Sequence, residues 1–228
     1  MSMATIRSLV FANSQIYHVF NRGVDRQTVF TNKREYERML ETVWLYRFTD
    51  PGINFSTYTT LPQSARIQMK TFIEKKKQQI SLLAYCLMPN HFHFVIRQEE
   101  DYGVSNFIAN ITNSYTKYFN MKRKRVGPLF QGTFKAVRVE TDEQFLHLTR
   151  YVHLNPLSSY IVRLEELEYY PWSSLPEYLN INKTMLSNKT VLNSLLSVKN
   201  YKEFVFDQAD YVKHIAKIEQ LAIDNEPI

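Results

Sequence analysis

Apolar and polar positions form blocks along the chain that predict a mixture of strands and helices. Apolar runs, most of them bounded by turn residues, predict four strands at about 16–23, 80–88, 91–97 and 134–139. Stripes at helical spacing predict helices at about 33–46, 65–79 and 105–121, and another that starts at Thr141 or Asp142 and ends by Pro156. Residues 49–64 are rich in Thr, Ser and Pro and are expected to be irregular.

The order of these elements predicts the fold class. Strand, helix, strand, strand, helix, strand, helix is typical of an α+β protein in which helices pack on an antiparallel sheet. The chain has 228 residues, which suffices for a sizeable core. Beyond residue 180 the pattern weakens to a polar loop followed by two or three modest helices. We therefore expect one domain with an appended C-terminal helical segment.

Composition narrows the class of protein. Hydrophobic residues make up 44% of the chain and charged residues 22%, which is ordinary for a soluble globular protein. Cys86 is the single cysteine, so a disulfide framework is excluded and a reducing compartment is expected. No apolar run approaches the length of a membrane span, and Leu9 to Ala12 is too short for a signal-peptide core. We expect a cytoplasmic protein that does not bind membranes.

Charge is distributed unevenly along the chain. Residues 1–139 hold 20 Lys or Arg against 9 Asp or Glu, whereas residues 140–228 hold 8 against 13. Between Tyr102 and Val139 there is no carboxylate, and the cations there are interleaved with aromatic residues. Cations along a backbone track, with aromatic faces for bases, suit a single-stranded nucleic acid. A solvated basic helix end with core aromatics behind it is the alternative, but the missing acids favour a polyanionic partner.

The most informative motif is Pro89-Asn90-His91-Phe92-His93, at the junction of two apolar runs. Side chains alternate between the faces of a strand, so His91 and His93 share one face while Phe92 points into the core. Two imidazoles on a rigid strand can hold one metal ion, although they do not name the metal. The alternative is that the pair merely packs a half-exposed strand. We favour metal or phosphate chemistry because clustered ionisable groups at strand ends mark functional sites.

A second candidate element is Arg150-Tyr151-Val152-His153-Leu154-Asn155-Pro156. Tyr151 and Asn155 are four residues apart and therefore lie on one helix face. An amide oxygen of Asn155 could complete a coordination sphere begun by the histidines and bring Tyr151 next to the metal. Spacing alone leaves the alternative open that Tyr151 is a packed aromatic and Asn155 a helix-terminating residue.

These motifs resemble those of a known family. Leu87 to Phe94, with its His-Phe-His element, looks like the HUH motif of IS200-like, single-tyrosine transposases, and is most similar to the REP-associated tyrosine transposase branch. Further resemblances follow in the same order over about residues 14–178, and together they are specific: Tyr17 to Gly23, Tyr115 to Asn120, Gly127 to Gly132, Tyr151 to Pro156 and Trp172 to Ser174. The segment of about residues 49–70 is longer than expected, and the tail from about residue 180 extends beyond a minimal catalytic domain.

The resemblance implies a ferredoxin-like sheet in a catalytic domain of residues 1–178, followed by a helical extension of residues 179–228. It implies that His91, His93 and Asn155 bind Mg²⁺ or Mn²⁺, and that Tyr151 attacks single-stranded DNA to leave a 5′-phosphotyrosine and a free 3′-OH. The expected partner is single-stranded or hairpin DNA, such as REP-like palindromes, bound by a monomer or homodimer. The candidate DNA-binding residues are all cationic: Arg22, Lys117, Lys122, Arg123, Lys124, Arg125, Lys135 and Arg138.

Competing interpretations are weaker but differ in class. A histidine-triad hydrolase needs a third alternate histidine, and that position is Val95. A structural zinc site needs more Cys or His near the pair. Another interpretation stays open, in which the protein binds hairpin DNA or RNA on the same scaffold without catalysing a reaction. Tyr115 and Tyr118 compete for the role of nucleophile, but neither is followed four residues later by a suitable ligand. His18 and His153 are candidates for substrate contact, although a strand-surface or core role is favoured.

Overall fold

A four-stranded antiparallel sheet organises the fold, as predicted. The computed structural model describes residues 9–182 and 186–208. The strands are β1 (Ile16–Arg22), β2 (Ile80–Met88), β3 (His91–Gln98) and β4 (Lys135–Val139), in the order β2-β3-β1-β4. β1 is central and pairs antiparallel with both β3 and β4. The α+β class and the four predicted strands are therefore confirmed.

The two faces of β1 differ in burial, which follows from the period of two along a strand. Tyr17, Val19 and Asn21 are buried, whereas His18 and Phe20 are half-buried and Arg22 is exposed. The register pairs Phe20 with His93 and Arg22 with His91. His18, Phe20, Arg22 and both histidines of β3 therefore lie on one face of the sheet.

The opposite face of the sheet packs against helices. α1 (Lys33–Tyr46) begins at Asn32, whose side chain accepts a hydrogen bond from the Glu35 amide. α4 (Gly103–Arg123) places Phe107 against Phe94 of β3, with ring centroids 6.1 Å apart. The buried aromatic side chains of this face form the core. Their burial is the main favourable contribution to the stability of the sheet.

Residues 49–64 are more ordered than the sequence predicts. Helix α2 (Phe55–Thr60) begins at Asn54, whose side chain accepts a hydrogen bond from the Thr57 amide, and α3 covers Gln63–Ile73. Phe55 and Tyr58 join a small core. The prediction of an irregular segment was wrong, because a six-residue helix offers too few positions for a period to be recognised. The end of α3 lies earlier than the predicted 79.

The helix that carries Tyr151 is α5 (Asp142–Ser158), with Thr141 as its N-cap. The predicted end at Pro156 was wrong by two residues, since Pro156 lies inside the helix. A proline removes one amide donor but does not forbid the next residues from staying helical. The Ser159 amide donates to the Asn155 carbonyl at 3.0 Å and closes the last turn.

Contacts divide the described chain into two compact units. The first unit comprises 9–82 and 89–139, and the second comprises 83–88, 140–182 and 186–208. The second unit contains α5, α6 (Leu175–Tyr178), α7 (Thr190–Leu195) and α8 (Val198–Phe206). α7 and α8 confirm helices beyond residue 180, and the remainder of that prediction, from residue 209, lies outside the described residues. No helix of the described chain is long and apolar enough to cross a membrane.

Candidate functional site

The histidine pair opens β3 and lies on the half-buried face of the first unit. His91 and His93 have ring centroids 4.9 Å apart and planes at 86° to one another. Phe92, between them, is fully buried on the other face. The alternation predicted from the sequence therefore holds. Because β3 is paired along its length with β1, the separation of the two imidazoles is fixed by the sheet.

His18 of β1 joins the pair. Its Nε2 lies 2.9 Å from Nδ1 of His93, and His93 is only 6% exposed. Sequence reasoning assigned His18 to the strand surface and missed this contact. The alternation of β1 placed His18 on the correct face, but the register that brings it diagonally opposite His93 involves residues 75 positions apart. Pairing at such a distance leaves no local signal.

The turn that precedes β3 orients His91. Nδ1 of His91 lies 2.6 Å from Oδ1 of Asn90, and Nδ2 of Asn90 donates to the Arg26 carbonyl at 3.2 Å. The donor bond fixes which end of the amide faces His91, and an amide oxygen only accepts. Nδ1 of His91 therefore carries the proton and Nε2 carries the lone pair. Gly23 abuts this turn, and its amide donates to the Asn90 carbonyl at 2.8 Å.

Burial favours the neutral form of all three imidazoles. Burial lowers the pKa of His18 to about 4, and burial together with the charge of Arg22 lowers the pKa of His91 to about 4. Burial, then the neighbouring His91, His18 and Arg22, holds the pKa of His93 well below its usual value. A neutral imidazole has one lone pair in its ring plane and can ligate a divalent cation without first losing a proton.

The two imidazoles of β3 are chemically suited to the divalent metal that the sequence predicts. Neutral imidazole is an acceptable ligand for Mn²⁺ and, less readily, Mg²⁺. Asn155 donates through Nδ2 to the Tyr151 carbonyl at 2.8 Å, so its Oδ1 is the atom suited to ligation. Among the described residues, no cluster of three or more His, Cys, Asp or Glu side chains can hold a metal. Cys86 is fully buried, and burial raises the pKa of its thiol, which disfavours a thiolate ligand.

Tyr151 lies on α5 in the second unit, and its side chain is 52% exposed. Asn155 follows one helical turn later and is buried, with only 6% of its surface exposed. Tyr115, by contrast, is fully buried and donates to the Val29 carbonyl at 2.6 Å. Burial, then the charge of Glu35, raises its pKa. Tyr115 is therefore a core residue.

A buried polar network fixes the helix that carries Tyr151. His153 is fully buried; its Nδ1 lies 2.7 Å from the Tyr201 hydroxyl and its Nε2 lies 2.7 Å from Ser174 Oγ. The Arg150 guanidinium lies 4.1 Å from the centre of the Phe204 ring. His153 thus has the core role favoured by the sequence. Tyr201 and Phe204, both on α8, are residues that sequence reasoning missed, because the pattern beyond residue 180 is weak.

Comparison with known proteins finds a family model that is similar to part of this chain. Residues 57–155 match the family model described as "Transposase IS200 like", a span that includes His91, His93, Tyr151 and Asn155. The resemblance to IS200-like transposases is confirmed. A solved structure of a REP-associated tyrosine transposase bound to a REP hairpin matches with a TM-score of 0.51 and 11% identity, and covers 82% of this chain and 93% of that one. At that identity the match shows a shared fold. No curated protein sequence matches the chain.

The cations that the sequence predicts to bind DNA fall into two groups. Lys122 and Arg123 bind the fully buried carboxylate of Glu35 at 3.0 and 2.8 Å. Burial alone raises the pKa of that carboxyl, but hydrogen bonds from the Thr31 backbone and from both cations lower it to about 2. These two ion pairs therefore link the end of α4 to the start of α1. The prediction that Lys122 and Arg123 bind DNA did not foresee this contact.

Two further predicted cations also have partners within the first unit. Arg125 donates to Asn120 Oδ1 at 2.8 Å and to the Pro128 carbonyl at 2.6 Å, and Arg138 donates to Gln15 Oε1 at 2.7 Å. The other four candidates are exposed and form no ion pair within the described chain: Arg22, Lys117, Lys124 and Lys135. These four are the better candidates for contact with phosphates.

Proposed function

We propose that the protein is a single-stranded DNA endonuclease and strand transferase that acts near hairpins, as a transposase does. The observation that supports this most is the pair of neutral imidazoles on one sheet face, in the same family-matched span as the exposed Tyr151. The structural relative was solved with a REP hairpin, which makes hairpin DNA with REP-like palindromes the substrate class to test. That the protein acts as a monomer or a homodimer stays a prediction.

In the proposed reaction the Tyr151 hydroxyl attacks a backbone phosphorus. The tyrosine hydroxyl loses its proton as its O–P bond forms, the bond from phosphorus to the 3′ oxygen breaks, and the departing 3′ oxygen takes up a proton, so that no net proton is gained or lost. The product is a 5′-phosphotyrosine and a free 3′-OH, and reverse attack by a 3′-OH restores the phosphodiester. The bond energy is kept in the phosphotyrosine, so resealing needs no nucleotide triphosphate.

The protein groups act by position and charge in this proposal. His91, His93 and Asn155 would hold a divalent metal, Mg²⁺ or Mn²⁺, which when bound polarises the phosphate and favours phenolate over phenol. A tyrosine hydroxyl has a pKa near 10 in water, so it needs such help at neutral pH. Exposed cations such as Arg22 and Lys135 would hold the DNA backbone without reading its sequence.

A covalent adduct assay tests the proposal. The protein is incubated with labelled stem-loop DNA and Mn²⁺, then denatured, and a retained label marks a covalent link. Tyr151→Phe is expected to abolish the adduct, since it removes only the hydroxyl. Tyr160→Phe is the matched control because Tyr160 is 53% exposed and lies just beyond the same helix. A salt-sensitive gel shift without any adduct would instead support the alternative, a hairpin-binding protein that does not cleave.

A further inference from the structure

His18 lies beside the histidine pair but has no part in the reaction proposed above. His18 lies on β1, on the same face as Phe20. Phe20 is directly opposite His93 in the strand register, and His18 comes two residues before Phe20. Its Nε2 and Nδ1 of His93 are 2.9 Å apart. Two ring nitrogens at this distance share one hydrogen, so one ring donates and the other accepts.

The relative orientation of the two rings shows how that hydrogen bond is made. Their centroids are 5.1 Å apart and their planes differ by only 19°. The nitrogen atoms are closer than the roughly 3.5 Å of a van der Waals contact between stacked rings. His18 and His93 therefore meet edge to edge, with an in-plane N–H aimed at an in-plane lone pair.

The chemistry of neutral imidazole ties the direction of this bond to metal binding. One ring nitrogen carries the proton and the other the lone pair. If His18 donated, Nδ1 of His93 would accept and its Nε2 would carry the proton, so His93 would have no lone pair for a metal. If His93 donates through Nδ1, its Nε2 carries the lone pair. Ligation by His93 thus requires His18 to be the acceptor.

We propose that His18 is a positioning residue that accepts the Nδ1 proton of His93 and so presents Nε2 of His93 to the metal. This inference rests on the proposed function, because it takes His93 to be a ligand. Asn90 gives His91 the same tautomer through its amide oxygen. Both imidazoles of the pair then offer Nε2, one held by an amide and the other by a third imidazole. Outer partners of this kind commonly fix the tautomer and orientation of ligand histidines.

Two substitutions of His18 distinguish the contribution of its aromatic ring from that of its hydrogen-bond acceptor nitrogen. His18→Phe keeps an aromatic ring next to Phe20 and His93 but has no nitrogen. His18→Gln replaces the ring with an amide oxygen that can still accept the proton. The readout is Mn²⁺ affinity of the full chain without DNA, measured by titration calorimetry or electron paramagnetic resonance. His147→Phe is the control, since His147 is a half-exposed histidine on α5 in the second unit.

His18→Phe is expected to weaken Mn²⁺ binding about tenfold or more, and His18→Gln to recover most of the loss. His147→Phe should match the parent. Parent-like affinity of His18→Phe overturns the inference, and so does an equal loss in both variants, because the acceptor would then not matter. Absence of His91-dependent Mn²⁺ binding in the parent overturns the metal assignment as well, which distinguishes that failure from one confined to His18.

A second measurement uses the unaltered protein and does not depend on variants that fold. Nitrogen-15 NMR of the histidine rings, with Zn²⁺ as a diamagnetic probe metal, reports which nitrogen carries the proton. We expect His93 to be protonated at Nδ1, with Nε2 bound to the metal. A proton on Nε2 of His93 in the metal-loaded protein would overturn the inference.

Discussion

The two units hold their candidate residues by opposite means. In the first, the histidines themselves are half-buried or buried, neutral and hydrogen-bonded, so that each ring is fixed. In the second, Tyr151 is exposed, and it is the helix beneath it that is fixed, by the buried hydrogen bonds of His153. The roles proposed above account for this contrast, because a metal ligand must present one lone pair in one direction, whereas a nucleophile must be reached by a large substrate.

The largest expected effect comes from removing the two histidine rings of β3. Replacing both His91 and His93 with Ala should abolish Mn²⁺-dependent cleavage while leaving most DNA binding, because binding rests on distributed cations. Cleavage and gel-shift assays on the same preparations measure the two activities. Cleavage that survives the double substitution would remove the metal role of the pair. Loss of the folded state would instead indicate that the pair is structural.

The next effect tests what fixes the helix. His153→Ala removes one hydrogen-bond partner from each of the Tyr201 and Ser174 hydroxyls and opens a cavity, which should cost about 2–4 kcal/mol in the free energy of unfolding. Urea denaturation measures that free energy. Glu143→Ala, with a side chain that is 86% exposed on the same helix, is the control and should change stability little. Equal stability of the two variants would contradict a structural role for the network.

His153 also predicts how stability depends on pH. Burial lowers its pKa to about 3, so the unfolded chain binds more protons than the folded one between about pH 6.5 and 3. The stability of the parent should therefore fall as pH decreases through this window. His153→Ala removes this contribution, and its unfolding free energy should decline less steeply over the same range. A parallel decline in parent and variant would show that His153 is not kept neutral by the fold.

A smaller effect is expected where cations are tied to the first unit. Glu35→Gln removes the carboxylate shared by Lys122 and Arg123. We expect the free energy of unfolding to fall by only about 1–3 kcal/mol, because both cations are partly exposed and stay hydrated without it. The pKa of Glu35 is lowered to about 2, so its contribution is present above about pH 4.5 and is lost as pH falls towards 2. DNA affinity should not decrease in this variant. A decrease in DNA affinity would mean that the ion pairs of Glu35 with Lys122 and Arg123 order the DNA-binding surface.

The smallest effects are expected from single exposed cations. Lys117→Ala and Lys135→Ala should each weaken hairpin binding only a few-fold and reduce its salt dependence, whereas the parent should lose about tenfold or more in affinity between roughly 50 and 200 mM salt. Lys199→Ala, with a side chain that is 85% exposed in the second unit, is the control. A flat salt response or a preference for blunt duplex would contradict a single-stranded or hairpin partner.

The sequence predicted the frame of the fold because strands and long helices repeat their pattern locally. The four strands, α1 and α4 follow from periods of two and 3.6, and the shared face of His91 and His93 follows from alternation alone. Helix α2 escaped prediction because six residues give no usable period. The extension of α5 through Pro156 escaped it because proline marks a probable rather than an obligatory end.

The parts of the site that could not be predicted are contacts between distant positions. His18 meets His93 through strand register, and His153 meets Tyr201 through packing of α5 on α8. The acid-free stretch suggested that all of its cations were available to DNA, but Glu35, far earlier in the chain, binds two of them. Charge counted along a sequence does not reveal which cations are already paired in the fold.

Mass spectrometry of a trapped adduct tests the central proposal most directly. The parent protein is reacted with stem-loop DNA and Mn²⁺, digested, and searched for peptides that carry a nucleotide. We expect a phosphonucleotide on Tyr151 alone, no adduct in Tyr151→Phe, and hairpin binding by that variant equal to the parent's. Tyr115→Phe and Tyr118→Phe should retain cleavage. A nucleotide found on any other tyrosine would contradict the assignment of Tyr151 as the nucleophile.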